Sequence, residues 1–151
     1  MITLNAIQDD FVIMLLPAEI ESKTLIPALR AILSKKLAED HKIKEDEISK
    51  MLGVTQAAVS NYIRGTRGDP QLIQKLLSEE QVAKLINELC DSLTTDMAYT
   101  PSSLAKFIGL CNYIKSSLLI CDIHHNLESD IDEKVCKECE NMLLKGPGSV
   151  Y

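Results

Sequence analysis

With 151 residues and a formal net charge of −6, the chain has room for one domain or two small ones. Its acidic balance excludes a protein that coats nucleic acid through bulk positive charge. No stretch approaches the ~20 apolar residues of a membrane-spanning helix. Phe11 to Leu16 follows Asp9-Asp10 and stops at Pro17, too short a run for a secretory signal, so a soluble, cytoplasmic protein is expected. The charge is unevenly spread. Residues 21–68 hold nine Lys or Arg against six Asp or Glu, whereas residues 69–151 hold seven against thirteen. A basic segment on an acidic body suits a local, oriented contact with nucleic acid.

In chain order, Leu4, Ile7, Phe11, Met14 and Leu15 fit a helical spacing, although Phe11 to Leu16 would equally suit a short strand. Pro17, Glu19 and Glu21 suit the start of a helix. Leu25, Ile26, Leu29, Ile32, Leu33 and Leu37 then recur at three and four, and Pro27 is expected to kink or restart the helix. Lys35, Lys36, Lys42 and Lys44 cluster beyond it, either as phosphate contacts or as an ordinary solvated face.

Lys44 to Arg64 reads as two short helices joined by a tight turn. The first runs to Leu52, Gly53 turns the chain, and Thr55 caps the second. Ile48, Met51, Leu52, Val54, Ala58, Val59 and Ile63 are expected inside. Thr55, Gln56, Ala57, Ser60, Asn61 and Arg64 are left outside, with Arg67 beyond the helix end and Lys44 before the first helix. Amides reach adenine, arginine reaches guanine, and an alanine methyl meets the thymine methyl, so this face suits the major groove of double-stranded DNA. A plain helical hairpin is the competing explanation, but its outer face would carry more Glu and Lys.

Ser49, Leu52, Gly53, Thr55-Gln56, Val59-Ser60 and Ile63-Arg64-Gly65 resemble the helix-turn-helix of the lambda-repressor-like (Xre) transcriptional regulators. Ser49 stands where alanine is more usual. The run from Pro17 to Leu37 resembles an archaeal subgroup in which this domain carries a cysteine-bearing tail. The resemblance implies a homodimer with recognition helices about 34 Å apart. It also implies a tail able to sense redox state, oxygen or iron.

Arg64 to Pro70 reads as a loop, with Asp69-Pro70 opening a helix whose stripe is Leu72, Ile73, Leu76 and Leu77. Ser78 to Gln81 matches a capping box, opening a helix with Val82, Leu85, Ile86, Leu89, Cys90 and Leu93 on one side. Cys90 there is expected to be a buried small hydrophobe. Thr94 to Tyr99 reads as a connection. Thr100-Pro101 starts a helix to about Leu119, with Leu104, Phe107, Ile108, Cys111, Ile114 and Leu118 on one face.

Five cysteines, an odd number, argue against a disulfide frame. Cys136 and Cys139 have the spacing that grips one metal, and Cys121 and His124 repeat it with an imidazole. Cys111, Cys121, Cys136 and Cys139 would suit an iron–sulfur cluster, with 4Fe-4S preferred. Cys121, His124, Cys136 and Cys139 would suit structural zinc. Asp130 and Asp132 lack the turn glycine of a calcium loop. No phosphate loop or nucleophile elbow is present, and the cysteine–histidine pairing at Cys121 has no visible orienting partner, so an enzyme is not expected.

The fold expected is all-α. Residues 1–77 form a helix-turn-helix DNA-binding domain with an N-terminal extension, and residues 78–151 a helical dimerisation and cysteine-rich metal-binding region.

Overall fold

The computed structural model describes residues 15–127 and 133–145, and every regular element among them is helical. The choice between helix and strand near the start falls on residues 1–14, outside the described residues, and on Leu15 and Leu16, which lie in neither; Asp130, Asp132 and the stretch 146–151 also lie outside the described residues.

The chain enters through α1 (Pro17–Ile20), a π-helical turn (Glu21–Leu25) and α2 (Ile26–Glu39), which follow without a break. The Leu16 amide donates to the Glu19 carboxylate at 2.8 Å. Pro27 stands where the π-helical turn gives way to α2, a restart of the helix at the expected place. It lies in the first turn of α2, directly after the π-helical turn, whose wider ring accommodates a residue with no donor. α2 buries Ala28, Leu29, Ala31, Ile32, Leu33 and Leu37. A helix apolar on so many sides belongs in the middle of a fold, and α2 packs against four later helices.

Those are α3 (Glu45–Leu52), α4 (Gln56–Arg64), α5 (Pro70–Ser78) and α6 (Glu80–Asp96). Glu45, Asp46 and Glu47 occupy the first turn of α3, where the helix dipole favours negative charge. Gly53 ends α3 at φ +66, and the Val54 amide donates back to the Ser49 carbonyl at 3.0 Å. Gly68 has φ +89, and a Cβ there would lie 3.0 Å from the Ala31 Cβ, so the loop after α4 lies directly on α2. Asp69 caps α5 by accepting from the Gln71 amide at 3.0 Å. Leu72 and Leu76 are buried, Ile73 is half-buried, and Leu77 is exposed rather than part of the stripe.

Ser78 does not start a capping box. It ends α5, where its hydroxyl donates to the Lys75 carbonyl at 2.6 Å. Glu79 alone separates the two helices and provides the extended cap residue of α6. Val82, Ile86, Leu89, Cys90 and Leu93 are buried as expected. α6 also runs further than expected, through Thr94 to Asp96. The Thr94 and Thr95 hydroxyls donate to the Cys90 and Asp91 carbonyls at 3.0 and 2.7 Å, staying within the helix.

α7 (Pro101–Ser116) packs on α6 and opens with a Thr100–Ser103 capping box. It stops earlier than expected. Leu118 takes φ +63, and the chain bends by 65° into α8 (Leu119–Leu127). Its buried face is Leu110, Cys111 and Ile114, whereas Leu104 and Ile108 are 39% and 51% exposed. α9 (Glu133–Lys145) packs on α7. Lys75 pairs with Asp122, and Lys115 with Glu21 at 2.9 Å, tying α8 to α5 and α7 to the π-helical turn.

Among the described residues no single helix is long and apolar enough to cross a membrane. The bent α7–α8 pair qualifies by length and composition alone, but its Leu110, Cys111, Ile114 and Ile120 are buried within the protein.

Candidate functional site

Two surfaces gather residues with chemistry beyond packing. The first is the outer side of α4. The Thr55 hydroxyl accepts from the Ala58 amide at 3.1 Å and fixes where the helix starts. Ala58, Val59 and Tyr62 are buried and seat α4 against α2 and α3. Leu52, Val54 and Ile63 are half-buried at the edges of that contact. Tyr62 was not among the residues expected inside. Its signal was its position, three residues after Val59 and four after Ala58, on the same helical face.

With that face turned inward, Thr55, Gln56, Ala57 and Arg64 are exposed, and Ser60 and Asn61 are half-buried. Arg64 Nη2 donates to Asn61 Oδ1 at 3.1 Å, which leaves the Asn61 amide donors directed elsewhere. Arg67 is exposed, with its guanidinium 5.6 Å from the Tyr62 ring centroid. That distance allows a cation–π contact that holds Arg67 beside the C-terminal end of α4. Lys44 is exposed at the cap of α3, and Lys42 is exposed nearby, whereas Lys35 and Lys36 are half-buried along α2.

The second surface is a cavity of about 430 Å³ between α8, α9 and the start of α1. Cys121, His124 and His125 line it from α8, and Cys136 and Cys139 from α9. His125 Nε2 lies 3.5 Å from Cys136 Sγ. The Cys121 thiol is pushed up to about 11, first by burial and then by the neighbouring Cys139 and Cys136. Cys139 is also raised, by burial and then by Cys136. The three thiols are therefore close enough to feel one another's charge. His125 joins His124 at the cavity; it stands four residues after Cys121, a spacing that shares a helical face.

Cys111 is not at this cavity. It is buried in the core cluster, with Glu21, Lys115 and Arg30 as its charged neighbours, and burial pushes its thiol to about 11. Cys90 is buried between hydrophobic neighbours in α6 and is raised to about 11 in the same way.

These placements bear on which group the donors fit. A cluster held by four thiolates would need Cys111 to leave the core. Three thiols and an imidazole around one cavity match the donor chemistry of zinc. The match is one of donor type. Among the described residues, no three His, Cys, Asp or Glu side chains converge closely enough to hold a metal ion as they stand, so α8 and α9 would have to draw together around one.

Compared with known proteins, the chain matches no protein-family model, no curated protein and no solved structure.

Proposed function

We propose that this chain is a sequence-specific DNA-binding regulator of the lambda-repressor-like kind, acting as a homodimer on double-stranded DNA. The observation that carries the reading is the outward side of α4, where Gln56, Ala57 and Arg64 are exposed on a helix capped by Thr55 and anchored by Val59 and Tyr62. Amide, methyl and guanidinium groups on a rigid rod can meet base edges. Exposed Lys44 and Arg67 at the flanks can meet phosphates. For the second copy, α7 offers Ile108 and Tyr113, apolar side chains that are 51% and 37% exposed. α6 turns Lys84, Glu88 and Asp91 to solvent and offers no such strip.

The cysteine cavity is read as a zinc site using Cys121, Cys136, Cys139 and one of the two histidines. Bound zinc would tie α8 to α9 and is assigned no chemical step. The Lys75–Asp122 pair links α8 to α5, and α5 packs on α2, the helix that also carries α3 and α4.

For DNA binding, a duplex enriched from a random pool is titrated by fluorescence anisotropy. Gln56→Ala and Arg64→Ala should each weaken binding by about 1–3 kcal/mol, the worth of one good base contact, while Glu88→Gln on α6 should not. Equal affinity of all four proteins would remove the reading. For the metal, anaerobic purification and metal analysis should give one zinc per chain, lost in Cys136→Ser and kept in Cys111→Ser. Brown protein with iron and sulfide, lost in Cys111→Ser, would restore the four-thiolate cluster.

A further inference from the structure

A second cavity, of about 380 Å³, lies between the α3–α4 region and the α6–α7 pair. It is distinct from the thiol cavity and shares no lining residue with it. Its walls are mainly apolar, from Leu52, Leu89, Leu93, Leu104 and Phe107. Arg30 is the one charged residue among those that line it, and it is half-buried. Among the described residues Arg30 forms no hydrogen bond or ion pair with an acid. Glu21, which shares the surroundings of Cys111 with Arg30, pairs with Lys115 at 2.9 Å.

A half-buried guanidinium lays its stem along apolar walls and keeps its head free to take up an anion. A pocket of this size with one convergent charged group is also the usual form of a small-molecule site. We infer that this cavity binds a small amphipathic carboxylate, a medium-chain fatty acid or a compound like it. Its carboxylate would be held by Arg30, which can bind both oxygens. Its hydrocarbon would lie between Leu89, Leu93 and Phe107. Gly53 contributes to the lining, so the occupant touches the turn that leads into α4. Ligand binding itself does not depend on the DNA-binding reading.

The test uses octanoate, octanol and octylamine, titrated into the full chain and followed by calorimetry and by amide chemical shifts. Octanoate is expected to bind saturably, with the largest shifts at residues 52–53, 99 and 103–107. Octanol should bind about tenfold more weakly, the worth of one charge-assisted hydrogen bond, and octylamine more weakly still. Arg30→Gln should bring octanoate down to the affinity of octanol. Leu104→Trp, at the exposed rim, should remove binding of all three by filling the cavity, with the helical content unchanged by circular dichroism. If Leu104→Trp fails to fold, the Arg30→Gln comparison still decides. Absence of saturable octanoate binding overturns the inference. So does octanol binding as tightly as octanoate, or octanoate affinity unchanged by Arg30→Gln, or shifts confined to the thiol cavity.

Discussion

Gly68 is the position where a single added methyl should do most harm for its size. Its φ of +89 is a conformation that side-chain-bearing residues rarely adopt, and its Cβ would meet the Ala31 Cβ at 3.0 Å and the Ile73 Cδ1 at 3.3 Å. The backbone term for a residue with a side chain in the left-handed region is about 1–2 kcal/mol. Carbon atoms prefer separations of about 3.5–4.0 Å, so α2 or the loop must shift by about half an ångström. Overpacking of that kind costs roughly 1–3 kcal/mol. Alanine also restricts the unfolded chain, which returns about 0.4–1 kcal/mol. Gly68→Ala should therefore destabilise by about 2–4 kcal/mol. Gly53→Ala is the internal control, since φ is +66 there but a Cβ meets nothing within 4 Å. It should show the backbone term alone, about 1 kcal/mol after the unfolded-state gain. Urea unfolding followed by circular dichroism measures both. Equal losses at the two glycines, or a Gly68→Ala midpoint matching wild type, would refute the close approach of this loop to α2.

Three further outcomes follow from the same structure. Thr55→Ala removes the acceptor for the Ala58 amide and should cost about 1 kcal/mol in urea, with Thr55→Ser retaining most of it. Burial raises the Cys90 and Cys111 thiols from 9.0 to about 11. A raised folded value means that the folded state keeps a proton the unfolded chain has released. The stability from these thiols is thus complete below pH 9.0 and is lost as pH rises towards about 11. The urea midpoint should fall over that window, and fall less in Cys90→Ala; an identical slope would count against the burial. Ile108→Lys, at a side chain 51% exposed, should leave stability within about 0.5 kcal/mol yet yield monomers by analytical ultracentrifugation. A dimer that persists would move the contact off α7.

The parts legible in the sequence are those with local signals. Gly53 and Thr55 bracket a turn, and Asp69-Pro70 and Thr100-Pro101 mark helix starts whose caps are made by their own side chains. The caps depend on nothing distant, so composition alone finds them. The misread parts depend on packing. Ser117 and Leu118 carry no breaking residue, yet Leu118 adopts φ +63 because α8 turns back onto α7 and α1. Leu104 and Ile108 share the helical spacing of Leu110 and Ile114, and only the position of α6 decides which pair is covered. Cys111 enters the four-thiolate reading only as the fourth thiol of the set. Its place in the core follows from the register of α7, which the set does not encode.

In the proposed function the exposed side of α4 meets double-stranded DNA. Amide chemical-shift mapping of the full chain with its selected duplex tests it most directly. The largest changes should fall at residues 55–57, 60, 61, 64 and 67, with small changes at Lys44 and none along the exposed side of α6. Saturable binding with changes centred on α7 to α9, and α4 unmoved, would contradict it.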